Sequence, residues 1–480
     1  MNRSVKTNTE RSCKVGVLLT LEDLYRQSMP GLSEEYTRYW SNVLKDILGD
    51  TVILHFPATA HTVEEVSQAV RSCKQADCDL LLVLPMAYAP SGAAIDALSA
   101  TRLPILVAST SRDLTLTDQI THEDMRANQA MHGVQDLANL LRRRGREFLL
   151  VVGHHSQDRF RGKLKQVCKA AAGARTLRAG RIGRLGTPFA GMLDFSYTPS
   201  LLSEKLGLEV VELEPELLSQ RAAEVQPGEV KQFTDWTRTA FQMDPDLTDA
   251  EINTAATLSL ALEKIVEDHS LDGIAMNFQA VLAAGAESLP FLGADRLMSW
   301  GIGYAGEGDV LTAALNRTLH GICGEATFTE TFCPDYQKEE ILLSHMGECN
   351  SALADPDRPI VLKAKPFSIG KCVRPVVPVF QLKPGIVTLA SFSESPVSDG
   401  GNPAAFQLVV SQGEIVSTEE HPNLTSPYSR VRFGGELSDF LEHYSKAGGT
   451  HHLALGYGDL VDDLSALAQL MGIRFIEIKG

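Results

Sequence analysis

Glu307, Glu330, His345 and the adjacent pair His451-His452 are the residues best equipped for chemistry in this chain. Glu307 is presented between two glycines in Gly301-Ile302-Gly303-Tyr304-Ala305-Gly306-Glu307-Gly308-Asp309. His345 closes the apolar run Ile341-Leu342-Leu343-Ser344, and the histidine pair stands in Gly448-Gly449-Thr450-His451-His452-Leu453. Carboxylate oxygens with imidazole nitrogens form a donor set too hard for structural zinc, which favours thiolates. The set suits Mn²⁺, Co²⁺ or Fe²⁺, and suits Mg²⁺ less because of the imidazoles. Positions left open on such an ion would take water or the vicinal oxygens of a substrate.

Each residue also has a plainer reading. Residues 301–306 match the GxGxxG dinucleotide fingerprint. They follow a helical stretch at 294–300 instead of a strand, however, and Glu307 sits where a pyrophosphate would need a positive helix end. The glycines are read instead as a tight bend that exposes Glu307. Asp309 occupies the N-cap position of a helix expected over 310–322, with Leu311, Leu315 and Leu319 as its apolar stripe. Glu348, three residues after His345, is placed to accept a hydrogen bond from that ring. Neighbours on a strand face opposite ways, so at most one of His451 and His452 is expected at a shared metal. His154-His155 reads as a surface turn, and no serine nucleophile elbow is present.

The elements that must position these groups alternate between strand and helix in the first third. Apolar runs at 15–19, 51–55, 80–84, 105–108 and 148–152 read as buried strands, with helices at 33–48, 62–75 and 128–143. That alternation predicts a doubly wound parallel sheet, which presents ligand groups at the carboxyl ends of its strands. A turn-rich passage at 171–186 leads to a second α/β unit, with strands at 208–214 and 273–277 and a long helix at 248–269. Beyond it, short β-rich segments at 361–365, 376–382, 385–391, 405–411 and 430–433 predict an antiparallel sheet or barrel. Asp399-Gly400-Gly401-Asn402-Pro403 reads as a loop tip. A helix at 436–447, a strand at 450–455 and a last helix and strand follow.

Composition narrows the partners. A chain of 480 residues with formal charge -16 is expected to form two or three domains and to bind neither nucleic acid nor anionic membranes. The basic run Arg142-Arg143-Arg144-Gly145-Arg146 ends a helical pattern and reads as a solvated helix end. Eight scattered cysteines without a CxxC pair, a polar start and no membrane-length apolar stretch predict a cytoplasmic protein with reduced thiols.

Residues 289–298 (Leu289-Pro290-Phe291-Leu292-Gly293-Ala294-Asp295-Arg296-Leu297-Met298), 301–309 and Thr312-Ala313-Ala314-Leu315 resemble the signature region of the L-arabinose isomerase family. Ser344-His345-Met346 and Gly448-Gly449-Thr450-His451-His452 are similar to its later metal-ligand segments. Asn128-Gln129-Ala130-Met131-His132-Gly133 is similar to its N-terminal Asn-Gln-x-x-His-Gly motif. The resemblance implies two doubly wound α/β domains, 1–174 and 175–325, and a C-terminal antiparallel β-barrel-like domain, 326–480. It implies Mn²⁺, with Co²⁺ or Fe²⁺ as substitutes, on Glu307, Glu330, His345 and His452. It also implies a homo-oligomer, usually a hexamer, whose active site lies at a subunit interface that Gln129 and His132 reach from a neighbour. Phe278 matches a position lining the sugar site. Two departures touch substrate recognition. Leu21-Glu22-Asp23-Leu24-Tyr25 carries Glu22 where the family has glutamine, and Gln279 stands where the family usually has an acid. The expected substrate-binding residues are therefore Glu22, Leu24, Gln129, His132, Phe278 and Gln279.

The expected function is metal-dependent aldose–ketose isomerisation of an open-chain sugar, with Glu307 and Glu330 moving the proton through an enediol. The alternatives are epimerisation of a related sugar or sugar acid, and a catalytically inactive sugar-binding or sensor protein on the same scaffold.

Overall fold

A computed structural model describes residues 13–367, 372–395 and 405–479. The loop tip expected at Asp399–Pro403 lies outside the described residues. The chain forms two compact units, one running to Arg175 and including Ser465–Gly472, the other holding Thr176–Leu464 and the last strand.

The N-terminal unit is built on a five-stranded parallel sheet in the order Ile53–His55, Lys14–Thr20, Leu80–Pro85, Ile105–Ser109, Leu149–Val152. Its inner strands Leu80–Pro85 and Ile105–Ser109 are buried throughout and mostly apolar because helices cover both faces there, while the edge strands keep exposed residues such as Ile53, Leu150 and Val152. Along the first strand, Val15, Val17 and Leu19 pack with Trp40 and Leu44, while Leu18 packs on the other face with Val66, Ala69 and Cys73. Thr62 and Glu65 form a capping box that starts the helix Val63–Gln75. The helix expected at 128–143 forms as Met131–Arg143, starting three residues late because Gln129 leaves helical geometry at the end of an unexpected short helix, His122–Asn128.

The turn-rich passage expected at 171–186 is a second difference. The helix Asp158–Arg178 runs through its first half, and a strand, Arg181–Leu185, follows. Ala170, Ala171 and Ala174 are buried in that helix. Alanine's helix preference outweighs the single Gly173.

The larger unit has a four-stranded parallel sheet in the order Gly303–Gly306, Gly273–Met276, Arg181–Leu185, Glu209–Leu213. The helix Asp249–Asp268 starts at a Thr248–Glu251 capping box. Gly303–Gly306 is a strand, where the glycine pattern had suggested only a bend. Gly303 is needed for close packing: a side chain there would collide with the Ala313 carbonyl of the helix Val310–Cys323.

The C-terminal part is chiefly antiparallel. Seven strands lie in the order Gly385–Glu394, His452–Tyr457, Ala326–Asp335, Glu340–Ser344, Tyr428–Arg432, Phe406–Val416, Arg474–Glu477, and Gly385–Glu394 also pairs with Phe406–Val416. Only the last strand joins in parallel. Val361–Ala364 and Val376–Val379 do not belong to this sheet; they form a separate one with Gln242–Met243. The fold is thus mixed α/β with parallel sheets, followed by an antiparallel-sheet domain. Among the described residues, no helix is long and apolar enough to cross a membrane.

Candidate active site

Glu307 follows the strand Gly303–Gly306 at its carboxyl end, the edge at which parallel sheets present ligand groups. Its φ is 59° and that of Gly308 is 80°, so the carboxylate stands on a left-handed turn. A side chain in that conformation costs roughly 1–2 kcal/mol. The surroundings hold it there. The Phe189 N–H donates to the Glu307 carbonyl at 3.0 Å, the Asp309 N–H donates to Gly306 at 3.0 Å, and Pro188 packs against Gly308.

The other groups meet Glu307 through strand register. Glu330 pairs with His452 on one side and with Ser344, next to His345, on the other. His345 Nε2 lies 3.9 Å from Glu330 Oε2, and His452 Nε2 lies 3.6 Å from Glu307 Oε2. His345 Nδ1 is 2.7 Å from Glu348 Oε2, and His452 Nδ1 is 3.0 Å from Asp309 Oδ2. An ionised carboxylate only accepts, so each Nδ1 donates and each Nε2 is left as a donor atom for a ligand. Asp309 therefore serves twice, because its other oxygen caps the helix Val310–Cys323 at the Thr312 N–H. Phe328 packs edge-on against both rings, 4.7 Å from His345 and 5.0 Å from His452, and the two rings meet each other at 5.5 Å. Gly306 leaves room for the His345 ring, whose Cε1 would lie 2.8 Å from an added Cβ.

Burial and charge pull in opposite directions here. Burial raises the Glu307 carboxyl above its ordinary range, and the His345 and His452 imidazoles only partly offset it. Burial alone would lower His345, but Glu348, Glu330 and Glu307 outweigh it and raise the imidazole. Glu348 is lowered, its burial overcome by His345.

The arrangement fits a divalent cation. Glu307 Oε2 and His452 Nε2 are buried and have no hydrogen-bond partner. One donor atom each from Glu330, His345 and His452 lies within 4.8 Å of the others, as does one each from Glu307, His451 and His452. Two unpartnered buried atoms facing each other, one an oxygen and one a nitrogen, are costly unless a cation or substrate satisfies them.

His451 departs from expectation. Strand alternation was to turn it away from its neighbour, but the strand begins at His452 and alternation does not reach His451. Its N–H and its Nδ1 both meet Asp194 Oδ2, at 3.1 and 2.6 Å. The hydrogen bond with Asp194 is the main cause of a raised imidazole at His451. Burial would raise Asp194, but its bonds with His451 bring it down to about 2. Phe195 stacks on His452 at 5.4 Å. Asp194, Phe195 and Phe328 were not singled out from the sequence, since no local pattern in Ala190–Thr198 or around Phe328 marks them.

The expected substrate residues divide. Phe278 is buried and packs 5.7 Å from Phe189, whose N–H holds the Glu307 carbonyl. Gln279 is exposed and its N–H is taken by the Asn277 side chain. Glu22, Leu24, Gln129 and His132 belong to the N-terminal unit. Glu22 caps the helix Asp23–Ser28 by accepting from the Leu24 N–H at 3.4 Å, and Leu24 is 61% exposed. Gln129 Nε2 donates to the Tyr25 hydroxyl at 2.5 Å, and His132 stacks on Tyr88 at 4.4 Å.

Family models for the L-arabinose isomerase N-terminal, central and C-terminal domains match residues 24–179, 202–325 and 325–474. An L-arabinose isomerase of Aeromonas hydrophila is 26% identical, over 98% of this chain and 94% of its own length. One of Nocardioides is 27% identical, over 82% and 79%, and one of Klebsiella pneumoniae 25%, over 87% and 85%. A solved solute-binding protein of Actinobacillus succinogenes with bound D-allose overlaps at a TM-score of 0.18 and 13% identity, over 65% of this chain and 91% of its own, too poorly to carry an argument. On its three domain matches, end to end, the chain belongs to the L-arabinose isomerase family.

Proposed function

We propose that this chain is a metal-dependent aldose–ketose isomerase acting on an open-chain sugar, with Glu307, Glu330, His345 and His452 holding the ion. The observation that carries this reading is the pair of buried, unpartnered atoms Glu307 Oε2 and His452 Nε2, 3.6 Å apart. When bound, a divalent ion such as Mn²⁺ supplies a Lewis acid that polarises the sugar carbonyl.

The chain's own residues move the protons. One of Glu307 and Glu330, as its carboxylate, takes the C2 proton. The other gives a proton to the C1 carbonyl oxygen in the same passage, so the C1–C2 bond becomes the double bond of an enediol. In the return, the first delivers its proton to C1 and the second recovers one from the C2 hydroxyl. The product is the ketose, and both acids are restored. Phe195, Phe278 and Phe328 exclude water from these transfers.

The sugar is chosen elsewhere. Glu22, in place of the family's glutamine, favours a sugar other than L-arabinose, since a carboxylate cannot donate where glutamine would. The exposed group around Leu24, Gln129 and His132 is read as the part that completes a neighbour's site in a homo-oligomer, as the family resemblance implies.

Chelation followed by a panel of aldoses, including L-arabinose, with Mn²⁺, Co²⁺ and Mg²⁺ tests the proposal. Turnover should vanish on chelation and return with Mn²⁺. Full activity in protein shown by elemental analysis to be metal-free would end the metal reading. No turnover of any aldose would favour a sugar-binding protein.

A further inference from the structure

A half-open cavity of about 390 Å³ reaches from the surface at Asp194 and Ser445 into the core of the antiparallel-sheet domain, between its strands and the helix Leu437–Lys446. Leu343, Leu389, Phe433, Phe440 and Leu453 line it, and all five are buried. Protein interiors seldom leave voids much larger than a water molecule. An apolar cavity of about 150 Å³ already takes benzene, and small-molecule sites run from about 300 Å³ upward. This one is therefore ligand-sized.

Its polar lining includes Thr331, Ser411, Tyr444 and Thr450 as well as Asp194 and His451, the pair that adjoins Glu307 and His452. Both bonds from His451 reach the same Asp194 oxygen, Oδ2. A carboxylate has about four acceptor sites, so Asp194 can also take a hydroxyl. It disfavours an anion.

We propose that this cavity is a binding site for a neutral amphipathic alcohol, with an apolar body of roughly eight to twelve carbons among the leucines and phenylalanines and its hydroxyl at Asp194. Occupancy does not depend on sugar turnover, so this site and the isomerase reading can fail separately.

The probe is 1-octanol, titrated calorimetrically into the full-length chain. Saturable one-site binding is expected, with octanoate bound at least tenfold more weakly because its carboxylate would face Asp194. Leu389→Trp and Ser411→Leu fill the cavity from two paired strands of its wall, and each should weaken octanol binding tenfold or more. No saturable binding by the wild type overturns the proposal, as does unchanged affinity in either filling variant that keeps the wild-type circular dichroism spectrum. Equal affinity for octanoate overturns the hydroxyl's placement at Asp194. A crystal soaked in octanol decides the matter whether or not the variants fold: density for the alkyl chain among these leucines supports the site, and density only elsewhere overturns it.

Discussion

The Glu307–His452 set and the group around Glu22 both sit at the carboxyl edge of a parallel sheet or beside one, yet they are held differently. His345, His452 and His451 each have Nδ1 tied to a carboxylate, from Glu348, Asp309 and Asp194. Glu307 is pinned on a left-handed turn by Phe189 and Pro188. Around Glu22 the ties are single and closer to water: one long capping bond, one Gln129–Tyr25 bond and one stacked ring. Under the proposed function, the chemistry that needs fixed charges falls where each imidazole is tied to a carboxylate, and the choice of sugar would fall to a surface that one side chain such as Glu22 can alter.

The contrast is broken most directly at the carboxylates. Glu307→Gln and Glu330→Gln should each lower kcat on the order of 10²–10⁴-fold, with an unchanged circular dichroism spectrum. Wild-type rates in either variant at saturating Mn²⁺ would remove that residue from proton transfer. The orienting acids come next. Glu348→Gln and Asp309→Asn should weaken Mn²⁺ binding about 10–100-fold by calorimetric titration. Asparagine keeps the helix cap, so an unchanged affinity would show that His452 needs no orientation from Asp309.

On the other side of the comparison, Glu22→Gln should leave metal affinity unchanged and shift the ranking of aldoses by kcat/KM about tenfold, toward L-arabinose. An unchanged ranking would make Glu22 only a helix cap. The smallest effect concerns strain. Glu307→Gly should abolish turnover while raising stability by about 1 kcal/mol in urea denaturation, by releasing the left-handed glutamate. A loss of stability would mean that the side chain, not the backbone packing, holds the turn.

Much of this was written locally. Apolar runs such as Leu80–Pro85 could only be buried parallel strands, and Thr62, Thr248 and Asp309 mark helix starts within a few residues. Glu348 was legible as a partner for His345 because three residues separate them. The mixed α/β architecture and the family were likewise readable, since they rest on residue types and order. Reading failed where a local pattern had two solutions. The glycines at 301–306 suit a bend or a close-packed strand, and only the helix Val310–Cys323 lying on Gly303 chooses the strand. The alanines at 170–174 suit a helix while Gly173 suits a break, and burial of Ala170, Ala171 and Ala174 decides for the helix.

Convergence belongs to tertiary structure alone. Glu330 stands between His345 and His452 because the hairpin Ala326–Asp335/Glu340–Ser344 pairs in one register with the remote strand His452–Tyr457, and a slip of one residue would turn Glu330 to the other face. His451 joins the group because Asp194 draws it there before the strand begins, and Phe195 arrives with Asp194. Periodicity and capping act over a few residues, so sequence determines which segments form and which donors exist. The distances among those donors depend on hydrogen-bond register and packing between segments far apart in the chain, which no local pattern encodes.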